Sequence, residues 1–228
     1  MPTKKSIFKL TLSVLLFLSF GLLLTHCSFQ RYARKSFERA KKEIPFDVII
    51  VPGVPYQDTA TDVIYKARVL WAKYLYDSSF TKNIIFSGSA VYTPYYEATT
   101  MMMYADSLGL PTENLFAEIE ALHSTENIYY GWKMAKSLGF KKIALATDPF
   151  QSRLLKSFME EYTPGVYSIP IQFEKIDTKS VTFPKINDRT AFVENFISLP
   201  KRQGFWERFR GTRGKRVKEE VEKEKKNL

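Results

Sequence analysis

Short apolar runs that end in small residues alternate with longer stretches of helical periodicity along most of this chain. The clearest runs are FDVIIVPG (46–53), KNIIFSGS (82–89) and KKIALATD (141–148), and two weaker ones are ENLFAEIEA (113–121) and GVYSIPIQF (165–173). Strands that alternate with helices join through right-handed crossovers into a parallel sheet covered on both faces. The sequence therefore predicts an α/β fold, a Rossmann-like three-layer sandwich with a mostly parallel sheet.

The helical stretches carry their own boundary signals. Asp148 is an expected N-cap, because Pro149 suits the first helical position and Gln151 completes a capping box. Ser124 is the expected N-cap of an earlier helix. The apolar spacing predicts helices at 61–76, at about 94–108, at 124–139, from Asp148 onward and at 189–209.

The positive charge is concentrated at the two ends of the chain. The formal net charge is +10, but residues 46–200 hold 14 basic and 17 acidic side chains, a net of −3. Residues 1–45 carry a net of +7 and residues 201–228 a net of +6. A groove that follows phosphates needs its basic excess on the folded surface, so the pattern argues against nucleic-acid binding. Basic flanks beside an apolar segment suit anionic lipid headgroups better.

An uncharged apolar segment near the N-terminus predicts membrane attachment. Lys4, Lys5 and Lys9 precede sixteen residues without a charge, 10–25, as in a secretory signal. The segment is slightly shorter than the roughly twenty residues of a spanning helix, although a snorkelling Lys9 could extend it. We divide the chain into a signal anchor or lipoprotein signal (1–27), an exposed basic stalk (28–45), the α/β domain (46–200) and a charged tail (201–228), which we expect to be frayed helix or disordered after Gly211.

Two kinds of anchor are compatible with this segment. It is either an uncleaved signal anchor or a lipoprotein signal that is cut before Cys27, which would then carry lipid. The stretch before Cys27 resembles a lipobox, although His26 stands where Gly, Ala or Ser is usual. The basic residues after the segment favour a cytoplasmic domain if the segment spans, whereas a cleaved or lipidated signal evades that rule. The orientation stays open.

Cysteine and histidine are too scarce for a zinc site. Cys27 is the one cysteine, and His26 and His123 are the two histidines. No intramolecular disulfide and no paired-cysteine metal motif can form, and we expect no metal.

Small and polar residues follow the predicted strands, where ligands of open α/β sheets bind. Backbone amides after the strands can hold an anion, and a carboxylate near a helix N-terminus can bind hydroxyl or amino groups or act in acid–base chemistry. A cation in the first turn of a helix opposes the dipole, which hints at an anionic partner for Arg153 or a salt bridge across the cleft. The predicted ligand-binding residues are Gly53, Ser87, Gly88, Glu97, Glu126, Asn127, Asp148 and Arg153, and the catalytic candidates are Glu126, Asp148 and His123.

The ordered set of these motifs resembles the ElyC/SanA/YdcF family over about residues 46–175. The motifs are VIIVPG, RVLWAKYLY, IIFSGS followed by Glu97-Ala98 and Met101, LGLPTENL, STEN and ALATDPFQSRLL. The chain departs from the family at three positions. The family's double glycine after the first strand is Gly53-Val54 here. Ser89 stands where a second glycine is usual, and Gln151 stands where a histidine is usual. The spacing from Gln151 to Arg153 is also one residue short.

The resemblance implies a location and a broad role but no particular reaction. It implies a cell-envelope protein tied to peptidoglycan assembly and barrier function, with the domain outside the cytoplasm, and it makes S-adenosylmethionine a possible ligand. We expect a membrane-tethered protein whose strand-end cleft binds a small anionic or nucleotide-like ligand. Two alternatives stay open: a hydrolase or transferase acting on a phosphorylated cell-wall or lipid-carrier intermediate, and a non-catalytic scaffold.

Overall fold

The sheet at the centre of the computed structural model, which describes residues 28–227, has five parallel strands in the order β3-β2-β1-β4-β5. The strands are β1 (Val48–Pro52), β2 (Ile84–Ser87), β3 (Leu115–Glu118), β4 (Ile143–Leu145) and β5 (Tyr167–Ser168). Ile50 of β1 lies opposite Ile85 on one side and Leu145 on the other. The chain thus starts at the centre, builds one half of the sheet and then crosses to the other. The predicted α/β class and parallel sheet are confirmed.

Helices cover both faces of this sheet. They are α1 (28–41), α2 (Asp62–Asp77), α3 (Glu97–Ser107), α4 (Ser124–Ser137), α5 (Pro149–Tyr162), α6 (Leu199–Arg202), α7 (Phe205–Thr212) and α8 (Lys215–Lys226). Side chains alternate along a strand, so Ile49 packs with Trp71 on one face while Ile50 packs with Ile128 on the other. The helices α1, α2 and α3 share the first face, and α4 and α5 share the second.

The segment 28–45, predicted to be an exposed basic stalk, is part of the folded domain. Ala33, Phe37 and Ala40 of α1 are buried, and the Phe37 ring lies 5.8 Å from Trp71 and 5.7 Å from Phe80. These three residues fall at helical spacing, so α1 is amphipathic and turns its basic residues outward.

The C-terminal tail, predicted to be frayed or disordered, is also ordered on the domain. Val217 of α8 is fully buried against Tyr129 and Tyr130, and Lys133 of α4 pairs with Glu220 at 2.5 Å.

The predicted helix at 189–209 is wrong. Leu199 begins the short helix α6, whose second residue is Pro200, and Gly204 is the N-cap of a separate helix α7.

Several further boundaries differ from the prediction. The fifth strand is only two residues long, and His123 rather than Ser124 is the N-cap of α4. Asp148 caps α5 as predicted, since its side chain accepts a hydrogen bond from Gln151 N. Within residues 28–227, no helix combines the length and the apolar character needed to cross a bilayer. The predicted membrane segment and Cys27 lie outside the described residues.

Candidate functional site

The loops that follow β1 and β2 touch at the carboxyl edge of the sheet. Gly53 N donates to Ser87 O at 2.5 Å, and Ala98 N at the start of α3 donates to Gly88 O at 3.0 Å. A Cβ built on Gly53 would lie 2.5 Å from Glu97 Oε2 and 3.0 Å from Ser87 O. Glycine is therefore required at Gly53 by the close approach of a carboxylate and a neighbouring strand. The structure brings together Gly53, Ser87, Gly88 and Glu97 as the sequence predicts.

Glu97 begins α3 and is 5% exposed. Burial raises the pKa of this carboxyl to about 8, although the charge of Arg68 opposes the rise. Glu97 is therefore mostly protonated at neutral pH, where its carboxyl group can donate a hydrogen bond.

Arg68 of α2, which is not among the predicted site residues, connects the two halves of this edge. It is 5% exposed, and its Nη1 donates to Gly53 O at 2.9 Å and to Pro52 O at 3.1 Å. Its Nη2 donates to Asp148 Oδ2 at 2.6 Å. The available signal was an arginine on the apolar face of a helix, three residues after Tyr65 and four before Ala72. A buried guanidinium in such a position needs a carboxylate partner.

Asp148 holds the N-terminus of α5 and faces Arg68. Its Oδ1 accepts from Gln151 N at 2.9 Å. Burial alone would raise the pKa of Asp148, but the charge of Arg68 and the Gln151 amide lower it below the usual value. Asp148 is thus ionised at neutral pH, whereas Glu97 is mostly protonated.

Ser87 and Asn127 belong to a second polar cluster whose centre is Glu118. Ser87 Oγ donates to Glu118 Oε2 and lies 3.0 Å from Asn127 O. The other carboxylate oxygen of Glu118 accepts from Glu120 N at 2.6 Å and Ala121 N at 3.2 Å. Burial raises the pKa of Glu118, against these hydrogen bonds. The hydrogen bonds of this cluster join β2, β3 and α4, so the cluster stabilises the fold. Glu118 is not among the residues predicted from the sequence.

Glu126 and His123 lie beneath the C-terminal helices. Glu126 Oε2 accepts from Leu122 N at 2.9 Å and lies 3.4 Å from Arg216 of α8. Burial raises the pKa of Glu126 in spite of these two contacts. The ring of His123 packs on Gly211 of α7, so closely that a Cβ there would collide with it, and burial lowers the pKa of His123.

Arg153 lies apart from the other predicted residues. Its side chain is exposed, and its guanidinium lies 5.3 Å from the ring centroid of Tyr32, on the side where α1 packs against α5. A cavity of about 610 Å³ opens there, lined also by Lys35 and Arg39. Ser152, not Arg153, points inward from α5. The structure therefore separates Arg153 from the cluster at the strand ends.

A larger cavity of about 780 Å³, here called the strand-end cavity, opens beside Arg68 and Asp148. Ser124 and Thr125 from the first turn of α4 line one wall, and Thr212, Arg213 and Lys218 from the C-terminal helices line another. Phe150 and Leu154 of α5, 58% and 63% exposed, add an apolar side. Glu97, Glu126 and His123 are not among the described residues that line it.

The walls of the strand-end cavity are suited to negative charge. The first-turn amides of a helix lack intrahelical partners and carry the positive end of its dipole, and among the described residues no side chain caps α4. Arg68 pairs with Asp148 in the lining, and Arg213 and Lys218 outnumber the remaining acidic residue, Glu161, so one positive charge is in excess. Within residues 28–227, no His, Cys, Asp and Glu side chains group together as a metal site.

No family model matches the chain, and neither the curated proteins nor the solved structures include a significant match. The resemblance to the ElyC/SanA/YdcF family, carried by the motifs alone, stays a prediction.

Proposed function

We propose that the strand-end cavity binds a small anionic or nucleotide-like ligand. The observation that carries the proposal is the convergence of the uncapped N-terminus of α4 with Arg213 and Lys218 around one cavity. Backbone amides at a helix N-terminus and flexible cations together form a favourable environment for phosphate or carboxylate groups. The cavity volume of about 780 Å³ is within the range of sites for nucleotide-sized molecules.

Arg68 lines the strand-end cavity, and its fixed position supports the proposed binding of a ligand there. Its guanidinium is held by Asp148 and by two backbone carbonyls, so it is a fixed part of the cavity floor. A charge fixed before binding loses little side-chain entropy when a ligand arrives. In our proposal the anionic group lies against α4, Arg213 and Lys218.

Of the predicted ligand-binding carboxylates, only Asp148 lines the strand-end cavity. Neither Glu97 nor Glu126 lines the described cavity, and Arg153 lies on another face. We therefore assign hydroxyl or amino contacts to Asp148 and Gln151, and apolar contacts to Phe150 and Leu154, which line the cavity. S-adenosylmethionine, which the family resemblance makes a candidate, would direct its carboxylate towards Arg213 and Lys218 and its ammonium group towards Asp148 or Glu161.

The alternative of a hydrolase or transferase acting on a phosphorylated cell-wall or lipid-carrier intermediate has less support. Glu126 is closed off by Leu122 and Arg216. Asp148 faces the cavity, but its lowered pKa makes it a weak base. The scaffold alternative leaves the uncapped N-terminus of α4 and the excess positive charge of the cavity lining without a role.

For the whole chain we propose a membrane-tethered role in maintenance of the cell envelope. The proposal depends on the uncharged segment 10–25, on its basic flanks and on the family resemblance of residues 46–175. Either a spanning anchor or a lipidated Cys27 would serve this role.

Native mass spectrometry of the purified full chain tests ligand binding. We expect the wild-type protein to carry a phosphorylated or otherwise anionic small molecule, or to take up added adenosine diphosphate or farnesyl diphosphate. The double variant Arg213→Gln/Lys218→Gln should lose most of this bound mass. The matched control Lys136→Gln/Lys141→Gln removes the same charge near the opposite end of α4 and should keep it.

Two results would overturn the proposal. One is a wild-type chain that carries no ligand and takes up neither diphosphate. The other is a bound mass that the cavity variant retains as fully as the control, because the ligand would then occupy a different site.

A further inference from the structure

Three aromatic rings of α7 lie exposed side by side. Phe205 is 65% exposed, Trp206 69% and Phe209 42%. The ring centroid of Phe205 lies 5.3 Å from that of Trp206 and 6.4 Å from that of Phe209. Single exposed apolar residues are common, but a contiguous aromatic cluster is typical of a binding surface. We call Phe205, Trp206 and Phe209 the α7 aromatic cluster.

The helix geometry explains why these rings point away from the domain. At about 100° per residue, Phe205, Trp206 and Phe209 fall within one sector of roughly 100°, and Gly211 falls on the opposite side. Gly211 packs on His123, and Thr125 Oγ1 donates to Gly211 O at 3.1 Å. The small residue thus fixes α7 to the domain, and the large residues are left outside.

Exposed cationic side chains lie before, within and after α7 in the sequence. Arg213 lies over the Phe209 ring, 4.9 Å from its centroid. Lys201, Arg202 and Arg210 are exposed nearby in the sequence, and Glu207 is the one acidic residue between 199 and 213. Within residues 28–227, none of these four cations forms an ion pair with a carboxylate, as the salt bridges of that region involve other residues. An apolar patch bordered by unpaired cations complements the anionic surface of a bilayer.

The first described residues pack beside the strand-end cavity, which Arg213 also lines. The ring of Phe29, near the start of α1, lies 5.4 Å from that of Phe150. Phe150 and Arg213 line the strand-end cavity together, and Arg213 stacks on Phe209. The uncharged segment ends at residue 25, a few residues before Phe29. A bilayer near the start of α1 would thus face the side of the domain that holds the strand-end cavity and Arg213.

We propose that α7 is a second, interfacial membrane contact, in which Phe205, Trp206 and Phe209 insert among anionic lipids. Lys201, Arg202, Arg210 and Arg213 contact the headgroups. Docking in this manner turns the mouth of the strand-end cavity toward the lipid surface, because Arg213 belongs to both. This inference rests on the proposed membrane tether but not on the proposed ligand.

Quenching of tryptophan fluorescence by brominated lipids tests the contact in the full chain. Trp206 is exposed, whereas Trp71 is fully buried and Trp132 is partly buried. In vesicles of brominated phosphatidylglycerol, we expect strong quenching in the wild type. Trp206→Phe should remove most of the quenchable emission, and the matched control Trp132→Phe should retain it. Zwitterionic brominated vesicles should quench less, since the charge attraction is missing.

A charge variant and a vesicle-binding control separate this contact from the tether. Lys201→Gln/Arg202→Gln should weaken quenching, and Lys136→Gln/Lys141→Gln should not. Flotation with the vesicles reports the N-terminal tether independently. If the chain floats with anionic vesicles while Trp206 stays unquenched, the tether holds and the α7 contact is refuted.

A chain that does not float and shows no quenching refutes both the tether and the contact. Dimerisation is the rival use of the cluster. If Trp206 emission is shielded only in a concentration-dependent dimer, which Phe205→Ser abolishes, the surface joins two copies and the membrane assignment is overturned.

Discussion

Arg68 of α2 donates a hydrogen bond of 2.6 Å to Asp148, the residue that caps α5. The same guanidinium binds two carbonyls at the end of β1. One side chain thus fixes the crossing point between the two halves of the sheet, where open α/β folds place their ligand sites.

Replacing Arg68 with Met should destabilise the domain strongly. The change leaves Asp148 buried without its cation, which costs about 3–5 kcal/mol in the free energy of unfolding. Urea unfolding measures this change in the free energy of unfolding. Lys66→Met is the matched control on the same helix: Lys66 pairs with Asp62 on the exposed surface at 2.7 Å, and its loss should cost less than about 1 kcal/mol. Equal costs for the two variants would contradict a structural role for the Arg68 pair.

Glu97 should make stability depend on pH. Its pKa rises from 4.5 to about 8 on folding, so the folded state binds more protons between these values. Its contribution to stability is therefore complete below 4.5 and decreases as pH rises towards 8. In Glu97→Gln, stability should decrease less as pH rises over this range, and thermal unfolding at a series of pH values measures the difference. The exposed Glu113→Gln is the control, and a wild-type-like slope in Glu97→Gln would show that Glu97 is not the titrating group.

Gly53 should not tolerate a side chain. In Gly53→Ser the Cβ would meet Glu97 Oε2 at 2.5 Å and Ser87 O at 3.0 Å, so a strand end must shift. We expect a loss of about 1–3 kcal/mol, measured by urea unfolding. The same substitution at Gly204, where no atom lies within 4 Å, should change stability by less than about 0.5 kcal/mol. If both variants unfold alike, the close approach is absent in solution.

Gly211→Ala should release α7 from the domain without unfolding the sheet. The added methyl collides with the His123 ring, whose pKa is lowered by burial. Once the ring is exposed, its pKa should rise toward the ordinary histidine value, and NMR titration of His123 measures it. Thr212→Ala changes the exposed neighbour and should leave the titration unchanged. A pKa that stays low in Gly211→Ala would mean that other groups bury His123.

The sequence predicts the sheet well because each strand is a local pattern. Runs such as VIIV at 48–51 need only their own residues and a following turn to be recognised. The cap at Asp148 is equally local, since it involves Gln151 three residues later.

The partners of the polar site are not local, which limits its prediction. Arg68 and Asp148 are separated by 80 positions, and Ser87 and Glu118 by 31. The position of Arg153 in the first turn of α5 predicts a place in the cleft. One residue along a helix corresponds to about 100° of rotation, however, and the Arg153 side chain faces Tyr32 instead. The order of the C-terminal tail has little signal in the sequence, because Val217 is the one buried residue of the charged helix α8. One such residue does not produce a recognisable apolar periodicity.

Ligand-induced thermal stabilisation tests the central claim most directly. The full chain is heated with adenosine diphosphate, S-adenosylmethionine, farnesyl diphosphate or inorganic phosphate, alongside Arg213→Gln/Lys218→Gln and the charge-matched Lys136→Gln/Lys141→Gln. We predict that at least one anionic compound raises the unfolding temperature of the wild type and of the control, and that the cavity variant loses most of the rise. No rise with any compound, or an equal rise in all three proteins, would contradict an anion-binding strand-end cavity.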